Sequence, residues 1–190
     1  MKTLKTSFLI LSIALLLTAC EPAISTDPNS INVDGQTATW QQGGIGWSAS
    51  IGANYTVTYQ SSFVKTSSYP SITLGLGEHV YSTYTQADFF AFFTTGTKTF
   101  AVDPSEVGFS VYYNEGSSGP TWSSAIGRQS GSSVTFNSFT QQPTNGFTPD
   151  RVKYNVAVNA KVYNTTNSSD VKTISGTFEG SFERYYISKI

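Results

Sequence analysis

The stretch "RVKYNVAVNAKVYN", residues 151–164, decides how the rest of the chain is read. Val152, Tyr154, Val156, Val158, Ala160 and Val162 stand on one side of it, and Arg151, Lys153, Asn155, Asn159 and Lys161 on the other. An apolar period of two residues turns one face to a core and the other to water, which is the behaviour of a β-strand. "NTTNSSD" (164–170) then supplies turn residues, and "VKTISGTFEGSFERYY" (171–186) returns as the second arm of a hairpin. In that arm Ile174, Phe178 and Phe182 share a side with Gly176 and Gly180. Glycines at inward positions leave room for a bulky neighbouring ring or mark a bend.

The same alternation recurs upstream. "ANYTVTYQ" sets Tyr55, Val57 and Tyr59 against Thr56 and Thr58, "SITLGL" aligns Ile72, Leu74 and Leu76, and "VGFSVYY" aligns Val107, Phe109, Val111 and Tyr113. "QQGGIG", "TTGTK", "DPSE", "NEGSSGP" and "QQPTNGFTPD" provide turn chemistry between these runs. No window after residue 20 keeps a helical spacing. The expectation is an all-β domain over residues 31–190, an antiparallel, jelly-roll-like β-sandwich of roughly eight to ten strands. A lipocalin-like β-barrel fits the alternation equally well.

The first residues follow different rules. Lys2 and Lys5 precede a run from Phe8 to Leu17 that is apolar except for Ser12. This is the layout of a secretory signal, and the run is about half the roughly 20 residues a spanning helix needs. It ends at Cys20, the chain's single cysteine. A free thiol, an intermolecular disulfide or a chance cysteine behind an ordinary signal are the plain readings of one unpaired cysteine in an exported protein. With no second cysteine, stability must come from a packed core, and about 170 residues suffice for one domain. "EPAISTDPNS" (21–30) has two prolines and no apolar period, and reads as a tether that spans at most about 35 Å.

Leu17-Thr18-Ala19-Cys20 resembles the lipobox of bacterial lipoproteins. The resemblance implies cleavage before Cys20, alkylation of its thiol by a diacylglyceryl group, and a membrane held as partner through that anchor. Two or three acyl chains hold a protein on a bilayer where a single chain binds only marginally. Glu21 after the cysteine leans toward the outer membrane by the sorting logic of such lipoproteins. Loss of residues 1–19 removes Lys2 and Lys5 and takes the net charge from -1 to -3. Nucleic acid is excluded as a partner, because its binding needs a basic patch to displace counterions.

"TTGTKTFAV" (94–102), "TWSSAIGRQSGSSVTF" (121–136) and "ISGTFEGSF" (174–182) together resemble small uncharacterised lipoproteins of the Bacteroidota. That resemblance implies one compact β domain on an envelope lipoprotein and brings no activity, cofactor or catalytic residue with it.

For chemistry the residues offer little. His79 is the single histidine, which leaves a transition-metal site without its usual second ligand, and no G-x-S-x-G elbow accompanies it. Glu78, Asp88, Asp103, Glu106, Glu115, Glu179 and Glu183 are the acids from which a glycosidase-type pair could come. "DPSE" lacks the dense acidic pattern of a calcium loop. Aromatic residues are more suggestive at 14% of the chain, against 12% charged. "ADFFAFF" (87–93), read as a strand, puts Phe89 and Phe93 on one side and Phe90 and Phe92 on the other, either buried on both faces or offering Phe90 and Phe92 as a ring platform. Trp47 and Trp122 adjoin glycine-rich turns, where a ring either packs or is presented to a sugar or a protein, whereas Trp40 reads as core. The leading expectation is a lipid-anchored, non-enzymatic envelope module that binds a glycan or an envelope protein. A small hydrolase using a carboxylate pair or His79, and an assembly component with no small ligand, are the alternatives.

Overall fold

A computed structural model describes residues 29–51, 55–66, 68–80, 85–102, 107–143 and 150–184. The chain forms β1 (Asn29–Val33), β2 (Gln36–Ile51), β3 (Tyr55–Val64), β4 (Ser71–Val80), α1 (Gln86–Phe92), β5 (Gly96–Thr97), β6 (Gly108–Asn114), β7 (Thr121–Ser123), β8 (Ser133–Gln142), β9 (Asp150–Asn164) and β10 (Val171–Arg184). The fold is all-β. Among the described residues ten strands make one antiparallel sheet in the order β10-β1-β2-β3-β4-β6-β7-β9-β8-β5, with β9 also paired to β10. Most neighbours in the sheet are neighbours in sequence, but β5 crosses to the far edge beyond β8, and β9 lies between β7 and β8. The first strand begins at Asn29, two residues ahead of the boundary expected at Ile31.

The sheet rolls over so that its walls face each other like the layers of a sandwich. Phe63 of β3 meets Phe178 of β10 edge-on at 5.0 Å, and Phe109 of β6 meets Phe136 of β8 at 5.9 Å. It is not the closed lipocalin-like barrel of the alternative reading. β1 has five residues against fourteen in β10, and its register with β10 covers only Ile174 to Gly176. Past Gly176 the paired register between β1 and β10 stops. Side-chain amides reach that stretch of β10 instead. Asn29 Oδ1 accepts from the Glu179 N–H (2.6 Å), its Nδ2 donates to the Glu179 carbonyl (3.3 Å), and Gln42 Nε2 donates to the Ser181 carbonyl (3.1 Å).

A similar repair serves β9. One of its edges carries β10 along its full length, and the other carries β8 and then β7, end to end. Residues 124–132 leave the sheet between those two strands. Gln129 fills the gap as a surrogate peptide, its Nε2 donating to the Lys161 carbonyl (2.8 Å) and its Oε1 accepting from the Lys161 N–H (3.2 Å). Unpaired main-chain groups are costly once buried, so each such bond holds an interruption open at little penalty.

The alternation read in 151–164 is met residue for residue, with Val152, Tyr154, Val156, Val158, Ala160 and Val162 all buried. Gly180 explains itself sterically. A Cβ there would stand 2.7 Å from the Tyr154 hydroxyl and 2.9 Å from Phe63 Cζ, so the glycine makes room for two rings.

Two expectations are corrected. "QQGGIG" is not a turn but the middle of β2, where the register with β3 slips between Gln42 and Gly44 and a bulge takes up Gly43. "ADFFAFF" is not a strand but mostly α1, the one α-helix among the described residues. Thr85 and Asp88 form a capping box, with Thr85 Oγ1 accepting from the Asp88 N–H (3.2 Å) and Asp88 Oδ2 accepting from the Thr85 N–H (2.8 Å). The spacing of Phe89 and Phe93 then works as i, i+4 on a helix. Among the described residues no helix is long and apolar enough to cross a membrane.

Candidate functional site

Strand polarity gives the roll two unlike ends. At one, tight hairpins join β1 to β2, β3 to β4, β6 to β7 and β9 to β10. At the other lie the start of β9, the finish of β10 and helix α1.

Helix α1 closes its end with rings. Phe89 is fully buried and stands edge-on to Tyr59 at 5.3 Å and to Phe93 at 5.0 Å. Phe93 stacks on Phe182 at 5.6 Å, and Phe182 stacks on Tyr154 at 4.5 Å. Aromatic pairs at such distances add about 0.5–1.5 kcal/mol each beyond burial. Phe90 and Phe92 are half-buried against the same core and form no exposed platform. Burial pushes the Tyr154 phenol well above its ordinary pKa, with the nearby Ser61 hydroxyl opposing weakly, so this ring stays neutral.

Polar contacts fasten the helix beside the rings. Gln86 Nε2 donates to Asp150 Oδ1 (2.6 Å), and Arg184 reaches Asp150 Oδ2 (3.4 Å) from the facing position on β10. One register step away, Arg151 Nε donates to Glu183 Oε1 (2.6 Å). Asp150 and Glu183 are both buried, each in an ion pair with an arginine, and breaking such a pair by removing one partner is strongly destabilising. Asp150–Arg184 and Arg151–Glu183 occupy consecutive positions of the β9–β10 register, and each acid pairs with an arginine across the two strands.

Asp150 is an acid the sequence reading passed over. Its signal was present: the 151–164/171–186 hairpin register places Asp150 opposite Arg184 and Arg151 opposite Glu183. Of the other acids, Asp88 is exposed and bound to its own helix cap, and its pKa is held below the usual carboxylate value chiefly by the Thr85 hydroxyl. Glu115 pairs with Lys172 (3.4 Å), and Glu179 accepts from Asn155 (2.8 Å) on the outer face. Among the described residues no group of three or more His, Cys, Asp or Glu side chains could hold a metal ion.

Trp122 is not presented from its turn. It is buried at 2% exposure, 5.4 Å from Tyr113, with the Lys172 ammonium 4.6 Å above its ring. The glycines beside it shape the β6–β7 hairpin, while β7 itself lies between β6 and β9 and carries the ring inward. Trp40 is core, also at 2%. The Trp47 backbone pairs with Tyr59 inside β2 rather than in a turn, and its side chain lies outside the described residues. His79 pairs through its backbone with Thr56, and its side chain too lies outside them, as do Asp103, Glu106, the Glu78 side chain and all of Cys20.

No protein-family model, no curated protein and no solved structure matches this chain.

Proposed function

We propose that the protein is a lipid-anchored, non-enzymatic binding module of the bacterial cell envelope, held at the outer membrane, which takes a glycan or an envelope protein as its partner. The observation that carries this reading is Leu17-Thr18-Ala19-Cys20, placed directly behind a basic start and an apolar run, with Cys20 the only cysteine in 190 residues. The occupied state of Asp150 and Glu183 supports a non-enzymatic role, because each carboxylate spends its charge on an arginine that fastens β9 to β10.

Growth with radioactive fatty acid tests the anchor: the wild type takes up label, and Cys20→Ala takes up none. An unlabelled wild type whose amino terminus is not Cys20 overturns the reading. Partner binding is tested by screening envelope glycans and solubilised envelope proteins against the acylated protein, then repeating the hits with Trp47→Ala. A partner whose affinity falls at least tenfold supports Trp47 as a contact, and one that ignores the change removes it from the site.

A further inference from the structure

Two-residue β5 ends the sheet, but the chain beyond it goes on to touch a second wall of the roll. Gly96 and Thr97 pair antiparallel with Phe136 and Thr135 of β8, and the Lys98 N–H donates to the Val134 carbonyl (3.0 Å). Phe100 then bridges in parallel to Phe109 of β6. The Ala101 N–H donates to the Phe109 carbonyl and the Phe109 N–H to the Thr99 carbonyl, both at 2.9 Å. Residues 96–101 therefore strap β8 to β6, next to the stretch of β6, Tyr112–Asn114, that β7 takes.

Gly108 lets the strap lie this close. Its φ is 142°, and a Cβ there would stand 2.8 Å from the Ala101 nitrogen and 2.9 Å from the Thr99 carbonyl oxygen. Yet the strap is lightly held. Phe100 and Ala101 are its buried apolar side chains, with Phe100 edge-on to Phe109 at 5.7 Å, while Thr97 and Thr99 are exposed. The contact with β6 is a single parallel bridge, and parallel pairing is the less stable kind. Lifting the strap uncovers one large ring, whereas freeing β9 would break a ladder on each of its edges and uncover Val152, Tyr154, Val156, Val158, Ala160 and Val162. Local opening is easiest where few apolar contacts and few backbone bonds are lost.

We propose that residues 96–101 are a lateral gate, which lifts from β6 and β8 as a unit while the long strands stay paired. Lifting frees the N–H and carbonyl of Phe109 and the carbonyl of Val134, which water then satisfies, and it uncovers the Phe109 ring on the side where Phe100 stood. The gate is a property of the β domain itself and does not depend on the lipid anchor.

Native-state hydrogen exchange on the whole protein reads the gate directly. The amides of Lys98, Ala101 and Phe109 should exchange about 100-fold or more faster than those of Ala157 and Val158, which have β10 on one side and β8 on the other. Low urea should leave the three rates almost unchanged, because a local opening exposes little surface. Protection and urea dependence equal to those of Ala157 and Val158 would overturn the gate. A covalent lock supplies the second measurement. Thr97 and Thr135 are cross-strand partners, so Thr97→Cys combined with Thr135→Cys sets two thiols at disulfide distance. Oxidation, confirmed by intact mass, should slow exchange at Lys98, Ala101 and Phe109 together by about tenfold or more, and reduction should restore it. Slowing confined to Lys98, or none at all, would show that the segment does not lift as one piece and would overturn the proposal.

Discussion

The two ends of the roll are closed by different physics. At the hairpin end each closure is local. Asp34 and Gly35 both take positive φ (52° and 85°), the geometry of a type I′ turn, and the Gly35 N–H donates to Asn32 Oδ1 (2.9 Å). Asn164 organises the last hairpin, its Oδ1 accepting from the N–H groups of Thr166 (2.9 Å) and Asn167 (3.2 Å). At the α1 end closure depends on residues far apart in sequence: Tyr59, Phe89, Phe93, Tyr154 and Phe182 share one ring cluster, and Gln86 bonds Asp150. Damage to a turn should therefore stay small and local, whereas damage to the cluster should reach the whole domain.

The sharpest way to break this contrast is Phe182→Ala. It removes a fully buried ring that touches Tyr59, Phe93 and Tyr154, and should cost about 3–5 kcal/mol in urea unfolding. A loss under 1 kcal/mol would mean that the α1 end contributes little to global stability. Gly180→Ala should cost about 1–3 kcal/mol, because its methyl would crowd Tyr154 and Phe63. Gly35→Ala, at the hairpin end, should cost about 1–2 kcal/mol through its left-handed backbone, with near-UV circular dichroism unchanged.

Thr85→Ala should cost about 1 kcal/mol by removing the cap of α1. The same cap gives a pH test. The lowered pKa of Asp88 means its contribution is complete above the ordinary aspartate value of about 3.9 and is lost as pH falls through the lower folded value. Protection of the α1 amides, followed by hydrogen exchange, should thus fall below about pH 4 in the wild type and show no such step in Asp88→Asn. Lys172→Ala should have the smallest effect, about 0.5–1 kcal/mol for an ammonium over the Trp122 ring, visible as a shift in tryptophan fluorescence.

The same division decides what the sequence made legible. Strands were readable because β9, β3, β4 and most of β6 each keep one face buried, so the period of two is written into residue type. Hairpins were readable where asparagine, serine and threonine concentrate, as in Asn164–Asp170. "ADFFAFF" misled because phenylalanine suits a strand and a buried helix alike; only Thr85 and Asp88, three apart, gave the helix away. Trp122 misled because adjacent turn residues describe the hairpin and not the direction of the ring. The ion pairs at the start of β9 needed the hairpin register, since neither Asp150 nor Arg184 means anything until the two face each other.

The surrogate peptides formed by Asn29 and Gln129 expose the protein to a slow form of chemical ageing. Deamidation would turn either side chain into a carboxylate, which still accepts but no longer donates. The carbonyl of Glu179 or Lys161 would then confront a negative oxygen where an N–H had been. One hydrolysed amide would replace a bond with a repulsion where the ladder is interrupted, and an aged sample would show it as a loss of about 1–3 kcal/mol of stability.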